Sequence, residues 1–552
     1  MATTQDSRLT RGKACISCRR RKMVSYFTSA DEGTITEVNG RDVMVEGLTR
    51  TELLEANVAR LEARLKQLEI PIETGPVILH DPHARHRDEP QAPPVTGNFV
   101  GGSSTPGPSH FVGTRPLNTL SSSSDEFEPQ LSALLVNIVQ PFAHQIGLAL
   151  YSQGFNHMFE QSPLHPSYPV PSLLNSIYIW ALRLSNLDDF IKLEPQYVTK
   201  TTLALTEAVG SRDSKTRLHT LQAEVLIANY FFCMGRTVEA RYHASAAITM
   251  ALSCGLHQLT GRNTPPNLSL VGSARIQPLA PARDGIEQRE RVNLFWAVFI
   301  LDKCWSTAVN SPSMLCEEGE SGVQITTPWS VDNNGEGSAG FDEENQTTVR
   351  WFLSGRLSEH GWRSSTVATR AKGSALFECA ARITKPSSIQ TNLAGINTLM
   401  RVSSEYLGSF PNPTQLAHLS PDIKATIIVS RSLAFAAQID IYRTRARSDQ
   451  ISRSACISCA RAIVNMMELI EQDHLGFIDP VVTSVWMKAA TVLTREHAHQ
   501  QILGQGPSSK SSRDSPHGDA TKMTALLEQM VDKFPMLTSR IQTIIDILRS
   551  VS

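Results

Sequence analysis

Residues 218–255 read LHTLQAEVLIANYFFC-MG-RTVEARYHASAAITMALSC-G, two largely apolar stretches joined through Gly235 and closed by Gly255. Apolar residues recur at helical spacing in Leu218–Cys233 and again in Thr237–Cys254, and a glycine at each end suits the left-handed conformation that terminates a helix. The pair reads as a helical hairpin. Similar periodicity marks Leu131–Val139, Leu173–Leu184, Arg291–Trp305, Ala425–Tyr442, Ser454–Ile470 and Val481–Leu493, while strand-like alternation rarely lasts beyond a few residues. The expected fold class is therefore all-α, a large helical domain over 131–504. A last amphipathic segment, Ile541–Val551 with Ile544, Ile545 and Leu548 on one side, is expected to dock on that domain, with recruitment of a coactivator as the alternative.

Other stretches punctuate this pattern. Residues 71–130 are rich in proline, glycine, serine and histidine, with Gly101-Gly102-Ser103-Ser104 and Ser121-Ser122-Ser123-Ser124, and read as a disordered linker. Polar, Pro- or Gly-rich loops are expected at 260–285 and 330–348, and a Ser-rich insert at 505–520 precedes C-terminal helices in 521–552.

The chain has 552 residues and a formal net charge of -1, so any affinity for nucleic acid must be local, and its length suits one large or two fused domains plus linkers. Nine cysteines, an odd number scattered mostly in apolar helical stretches, together with no signal peptide and no apolar run of about 18 residues, predict a soluble, reduced, intracellular protein without a membrane partner. No Gly-rich phosphate loop, nucleophile elbow or H-E-x-x-H string is present, which argues against an enzyme of those motif classes.

Local positive charge sits near the N-terminus. Within 8–23, Cys15 and Cys18 form a C-x2-C pair that runs into Arg19, Arg20, Arg21 and Lys22, and no acidic residue falls between Arg8 and Lys22. Two thiolates at this spacing can share one tetrahedral Zn2+, and the basic run has a phosphate-seeking charge density that would also serve as a nuclear-localisation signal. A short basic tail with incidental cysteines is the bland alternative. Further on, Leu54, Val58, Leu61, Leu65 and Leu68 follow a 4-3-4-3 spacing within 49–70. With Leu54, Leu61 and Leu68 at d, Val58 and Leu65 fall at a, and Arg64 at g can reach Glu69 at e of a second chain, which reads as a short parallel homodimer helix opened by a Thr49–Glu52 capping box. The same stripe could instead dock on its own domain.

The string Ala-Cys-Ile-Ser-Cys recurs at 14–18 and 455–459, and counting alone would offer four thiolates for one zinc. However, Cys456, Cys459, Ile463, Met466 and Ile470 share one helical stripe behind Ser452 or Ser454 as cap, so core packing is the better account.

The opening segment resembles the fungal binuclear zinc-cluster transcription factors, which typically begin A-C-x-x-C-R-x-R-K-x-K-C-D. The match ends at Met23: Val24 and Ser25 stand where that family places a lysine and its third cysteine, and no further cysteine occurs before Cys233. Two thiolates cannot hold the two zinc ions that the family's six cysteines share. Val24-Ser25 is what the splice-donor consensus GTAAGT encodes in that frame, so 24–47 has two readings: partly translated intron, or a natural cysteine-poor paralogue. Two longer phrases resemble the same family's fungal-specific transcription factor domain. One runs from Gly235-Arg236 through Glu239-Ala240 to Gly255-Leu256-His257, and the other is Glu290-Arg291-Val292 with Phe295-Trp296 and Leu301-Asp302-Lys303. In the second phrase, Phe295 and Trp296 are expected to fill the core while Arg291 and Asp302 pin helices to one another.

The resemblance implies a nuclear, sequence-specific regulator of RNA polymerase II transcription and no enzymatic role. Its partners would be double-stranded DNA at G·C-rich triplets, a second copy of the chain and the transcriptional machinery. Arg19–Lys22 would contact phosphates and Cys15 and Cys18 would hold zinc. The alternative is a dimerising co-regulator without DNA contact of its own.

Overall fold

A computed structural model describes residues 129–150, 159, 165, 168–259, 279–316, 323–331, 349–355, 365–386, 393–416, 418–472, 476–502, 516–531, 534–538, 541–543 and 545–546. Every regular element among them is a helix. The long helices are α1 Pro129–Val139, α2 Pro171–Leu184, α3 Glu194–Ala208, α4 Ser214–Cys233, α5 Thr237–Ser253, α6 Gly285–Ala308, α7 Thr366–Ile383, α8 Leu393–Gly408, α9 Pro421–Arg443, α10 Gln450–Gln472, α11 Val482–Ile502 and α12 Pro516–Gln529. All lie in one compact unit that begins at Pro116.

The hairpin forms as its residues require. Asp213 caps α4, its carboxylate accepting from the Thr216 backbone N at 2.8 Å. Gly235 adopts φ +74°, and the bonds Gly235 N to Phe232 O and Arg236 N to Phe231 O close α4 in a Schellman turn. Gly255 repeats the left-handed turn after α5 at φ +72°. From Leu218 to Cys233 every residue of α4 is buried, so this helix is enclosed on all sides rather than amphipathic. α5 keeps a one-sided stripe, Ala240, Ala244, Ala247, Ile248 and Ala251, whose small side chains let it approach α4 closely.

Helices α6, α7 and α9 form the other half of the core, with α7 packed against both α6 and α9. Here a glycine is needed on steric grounds: a Cβ at Gly373 of α7 would lie 3.2 Å from the Ser430 carbonyl oxygen of α9. α10 packs on α9, α11 on α10, and α12 on α11. α10 is capped by Asp449, which accepts from the backbone N of Ile451 and Ser452, and not by Ser452 or Ser454 as expected. α12 begins at Pro516, inside the stretch expected to be an insert, and Asp519 there pairs with Arg461 of α10. At the C-terminus Ile541 is buried and Ile545 packs against the core, in line with docking; Ile544 and Leu548 lie outside the described residues. No helix among the described residues is long and apolar enough to cross a membrane.

Candidate regulatory site

The N-terminal assignments, Cys15 and Cys18 for metal, Arg19 to Lys22 for DNA, and Leu54, Val58, Leu61, Leu65 and Leu68 for dimerisation, lie outside the described residues. What the structure does place is the second Cys-Ile-Ser-Cys string. Cys456 Sγ points to the Ile439 carbonyl oxygen and Cys459 Sγ to Gln438 Oε1, both on α9, so the two thiols are packing groups between helices. Burial pushes them up to about 11 and about 12 respectively, which keeps them protonated and unsuited to bind zinc. Among the described residues no group of three or more His, Cys, Asp or Glu side chains is arranged to hold a metal.

Charge instead concentrates on α7, a helix whose residues Val367 to Ala380 are all buried. Arg370 pairs with Asp479 in the turn before α11, and Asp479 in turn accepts from the Val481 backbone N at 2.7 Å. Lys372 is buried against the Trp329 ring at 5.3 Å, and desolvation lowers its ammonium to about 8. Glu378 takes Lys303 of α6 on one carboxylate oxygen at 3.4 Å and Arg382 on the other at 2.9 Å.

Two cavities adjoin these charges. The smaller, about 30 Å³, is bounded by Arg370, Asn229, Cys304 and the turn at Gly147. Among the described residues Arg370 Nε and Nη1 have no protein acceptor, and the volume suits about two ordered waters to receive them. Around it, Asn229 donates to the Ile146 carbonyl oxygen and accepts from Trp305 Nε1, while Gln222 accepts from the backbone N of Ala149 and Leu150. These bonds tie the chain after α1 to α4 and α6, a structural role. The larger cavity, about 310 Å³, lies between α6, α7, α8 and the short helix Val349–Leu353. Its walls are mainly apolar, among them Phe299, Leu315, Leu353 and Leu399, and Lys303, Glu378, Arg350 and Arg382 converge on it.

Residues 137–390 match the model of the fungal specific transcription factor domain. The chain carries that domain. No curated protein and no solved structure gives a match to the chain. The matched family is one of fungal transcription factors, which supports a role in transcription regulation.

The matched stretch runs from α1 past the end of α7, and the two family-like phrases within it have definite work in the fold. In the first, Arg236 stacks over Phe231 at 4.4 Å and pairs with Glu239 at 3.0 Å, which locks the turn between α4 and α5. In the second, Phe295 and Trp296 are fully buried, as expected, with Trp296 stacked on Trp329 at 4.3 Å. The polar residues of this phrase act differently from the expectation. Arg291 pairs with Glu287 one turn earlier in the same helix, and Asp302 accepts from Ser313 Oγ and from the backbone N of Met314 and Leu315, so it fixes the segment after α6 and not a second helix. Lys303, the next residue, lines the larger cavity of the domain. Nothing in the sequence pattern announced that cavity; its signal is the set of charged residues inside α6 and α7, which periodicity treats as interruptions.

Proposed function

We propose that the chain is a nuclear, DNA-bound regulator of RNA polymerase II transcription. In this reading Cys15 and Cys18 hold zinc, Arg19, Arg20, Arg21 and Lys22 contact phosphates beside G·C-rich triplets, and Leu54 to Leu68 pair two copies of the chain. The observation that carries it is the fungal specific transcription factor domain at 137–390 behind a C-x2-C pair that runs into four basic residues. Regulation then lies in the helical domain, which conveys its state to the transcriptional machinery.

A second reading, a dimerising co-regulator without DNA contact of its own, is favoured by one specific observation. After Cys18 the next cysteine is Cys233, and six of the seven cysteines in the helical domain are buried, so the domain is a poor source for the missing zinc ligands.

The experiment measures zinc content of the full-length chain by native mass spectrometry and retardation of duplex DNA carrying paired G·C-rich triplets. Bound zinc, with retardation that disappears when Arg19 to Lys22 are replaced by alanine, supports direct DNA binding. A zinc-free chain that leaves DNA unshifted, yet sediments as a dimer until Leu61→Pro breaks the leucine helix, supports the co-regulator. Reading the transcript across codons 20–50 complements this. A message that restores lysine and the third cysteine after Met23, with three further cysteines before Leu48, describes a complete zinc cluster.

A further inference from the structure

The turn between α9 and α10 runs from the end of one helix to the start of the next as Arg443-Thr444-Arg445-Ala446-Arg447-Ser448-Asp449. Arginines stand three and five residues before Ser448, and no other serine or threonine of the chain has arginine at both positions. In an extended segment alternate side chains share one face, so Arg443, Arg445 and Arg447 would offer an acidic partner a row of guanidinium groups, each able to pair a carboxylate bidentately. The turn can open without disturbing the core. From Tyr442 to Ile451 no side chain is buried, whereas Ile441 and Ser452 on either side are. Its backbone is held by local bonds, Ala446 N to Tyr442 O at 3.0 Å, Ser448 N to Arg445 O at 3.1 Å and Asp449 N to Arg445 O at 3.0 Å. Ser448 is exposed, and its hydroxyl donates to the Arg445 carbonyl oxygen at 3.3 Å. Among the described residues Arg445 and Arg447 enter no ion pair, and Arg443 has an exposed one, with Asp440 at 3.4 Å.

We propose that Ser448 is a phosphorylation site, the acceptor of a basophilic serine/threonine kinase whose carboxylates read Arg443 and Arg445. Ser448 Oγ attacks the γ-phosphorus of ATP held by the kinase. The new O–P bond forms as the bond from that phosphorus to the β,γ-bridging oxygen breaks, ADP departs, and the hydroxyl proton passes to a carboxylate of the kinase. The phosphate then pairs with the arginines and not with the helix end behind it, because Asp449 already accepts from the Ile451 and Ser452 backbone N–H groups and its charge repels a second anion there. Arg445 and Arg447, the two guanidinium groups without a carboxylate partner among the described residues, are the ones that hold it. Transfer therefore converts an open basic turn into a closed one whose positive charge is largely cancelled. The site stands on this turn alone and does not depend on whether the chain binds DNA.

The test uses the folded full-length chain with protein kinase B and Mg-ATP, the modified position being mapped by peptide mass spectrometry. The expected result is phosphate at Ser448, absent from that peptide in Ser448→Ala. Arg445→Ala is expected to slow transfer to Ser448 about tenfold, the loss of one bidentate charge pair with the kinase. Arg443→Ala, whose guanidinium is already engaged by Asp440, is expected to slow it about threefold. All three positions are exposed or half-exposed, so the variants keep the fold. In the modified chain, phosphorus NMR is expected to place the second ionisation of the phosphate below its ordinary value of about 6, and Arg447→Ala to return it towards that value. The proposal is overturned if Ser448 stays unmodified in the folded wild-type chain, if Arg445→Ala is modified there at the wild-type rate, or if the phosphate ionises at its ordinary value in wild type and Arg447→Ala alike.

Discussion

The hairpin α4–α5 and the wall formed by α6, α7 and α8 are built from the same material, buried helices, to opposite ends. In the hairpin, apolar and small side chains close the space, and charged groups pair within it: His243 with Glu224 at 2.7 Å, Arg236 with Glu239. In the wall, Lys303, Glu378 and Arg382 hold one another beside a space that their aliphatic neighbours do not fill. A region packed this closely has little left to offer a ligand. The wall keeps apolar surface and a cluster of charged side chains beside an open space, which is where binding sites ordinarily form.

The strongest way to break this contrast is to make the same deletion on both sides of it. Leu226 in α4 is 0 % exposed and Leu399 in α8 is 2 % exposed, so the two side chains are equally withdrawn from water. Leu226→Ala should cost about 4 kcal/mol, because close-packed neighbours cannot collapse into the hole. Leu399→Ala should cost about 2 kcal/mol, since one side of that residue already faces the cavity and loses fewer contacts. Urea unfolding followed by tryptophan fluorescence measures both. Equal losses would mean that the wall packs as tightly as the hairpin.

The contrast also explains what could be read in the sequence. The hairpin was legible residue by residue because Gly235, Gly255 and the apolar repeats each state their local conformation. Phe295 and Trp296 were legible for the same reason, and so was the packing role of Cys456 and Cys459. α7 carries Arg370, Lys372, Glu378 and Arg382 among alanines, a serine and Gly373, so it lacks the apolar repeat by which a helix announces itself, although it packs at the centre of the fold. Long-range pairing makes these charges tolerable: Arg370 to Asp479 spans 109 positions and Lys303 to Glu378 spans 75, separations that no local pattern encodes. Asp302 and Arg291 show the reverse limit. Their burial was legible but their partners were not, since those depend on how the chain turns after α6 and on which neighbour one turn away carries the opposite charge.

A smaller effect sharpens the comparison by asking whether the hairpin is as inert as its packing suggests. His219 of α4 is buried, its Nδ1 accepts from the Val170 backbone N at 3.3 Å, and burial lowers its pKa from the ordinary 6.5 to about 3, with Lys215 and Arg283 adding to the effect and Asp213 opposing it. The folded state therefore holds His219 neutral while the unfolded chain protonates it below about pH 6.5. Its contribution is complete above that pH and is lost progressively as pH falls towards 3, which amounts to about 2 kcal/mol between pH 7 and pH 5. His219→Gln retains an acceptor for Val170 and cannot titrate, so its stability should change by about 2 kcal/mol less over that interval. Matched urea titrations at the two pH values measure the difference. Identical pH dependence in the two proteins would show that His219 is not the group responsible.

The smallest expected effect lies at the exposed start of the same helix. Asp213 satisfies α4 through two bonds from one residue, the backbone N and the Oγ1 of Thr216, each 2.8 Å, and these hold its carboxyl below the usual range. Asp213→Ala should cost about 1 kcal/mol, and Asp213→Asn, which keeps an acceptor, less than half of that. Because the carboxylate is the bonded form, its contribution is present at neutral pH and disappears only as the medium becomes acid enough to protonate it, well below the range in which His219 acts. The two groups sit on one helix and titrate in separate windows, so the double variant Asp213→Asn/His219→Gln should show additive losses at pH 7 and lose only the His219 dependence between pH 7 and pH 5. Non-additive losses would mean that the cap and the buried imidazole share a strained first turn, and the hairpin would then be less self-contained than its packing implies.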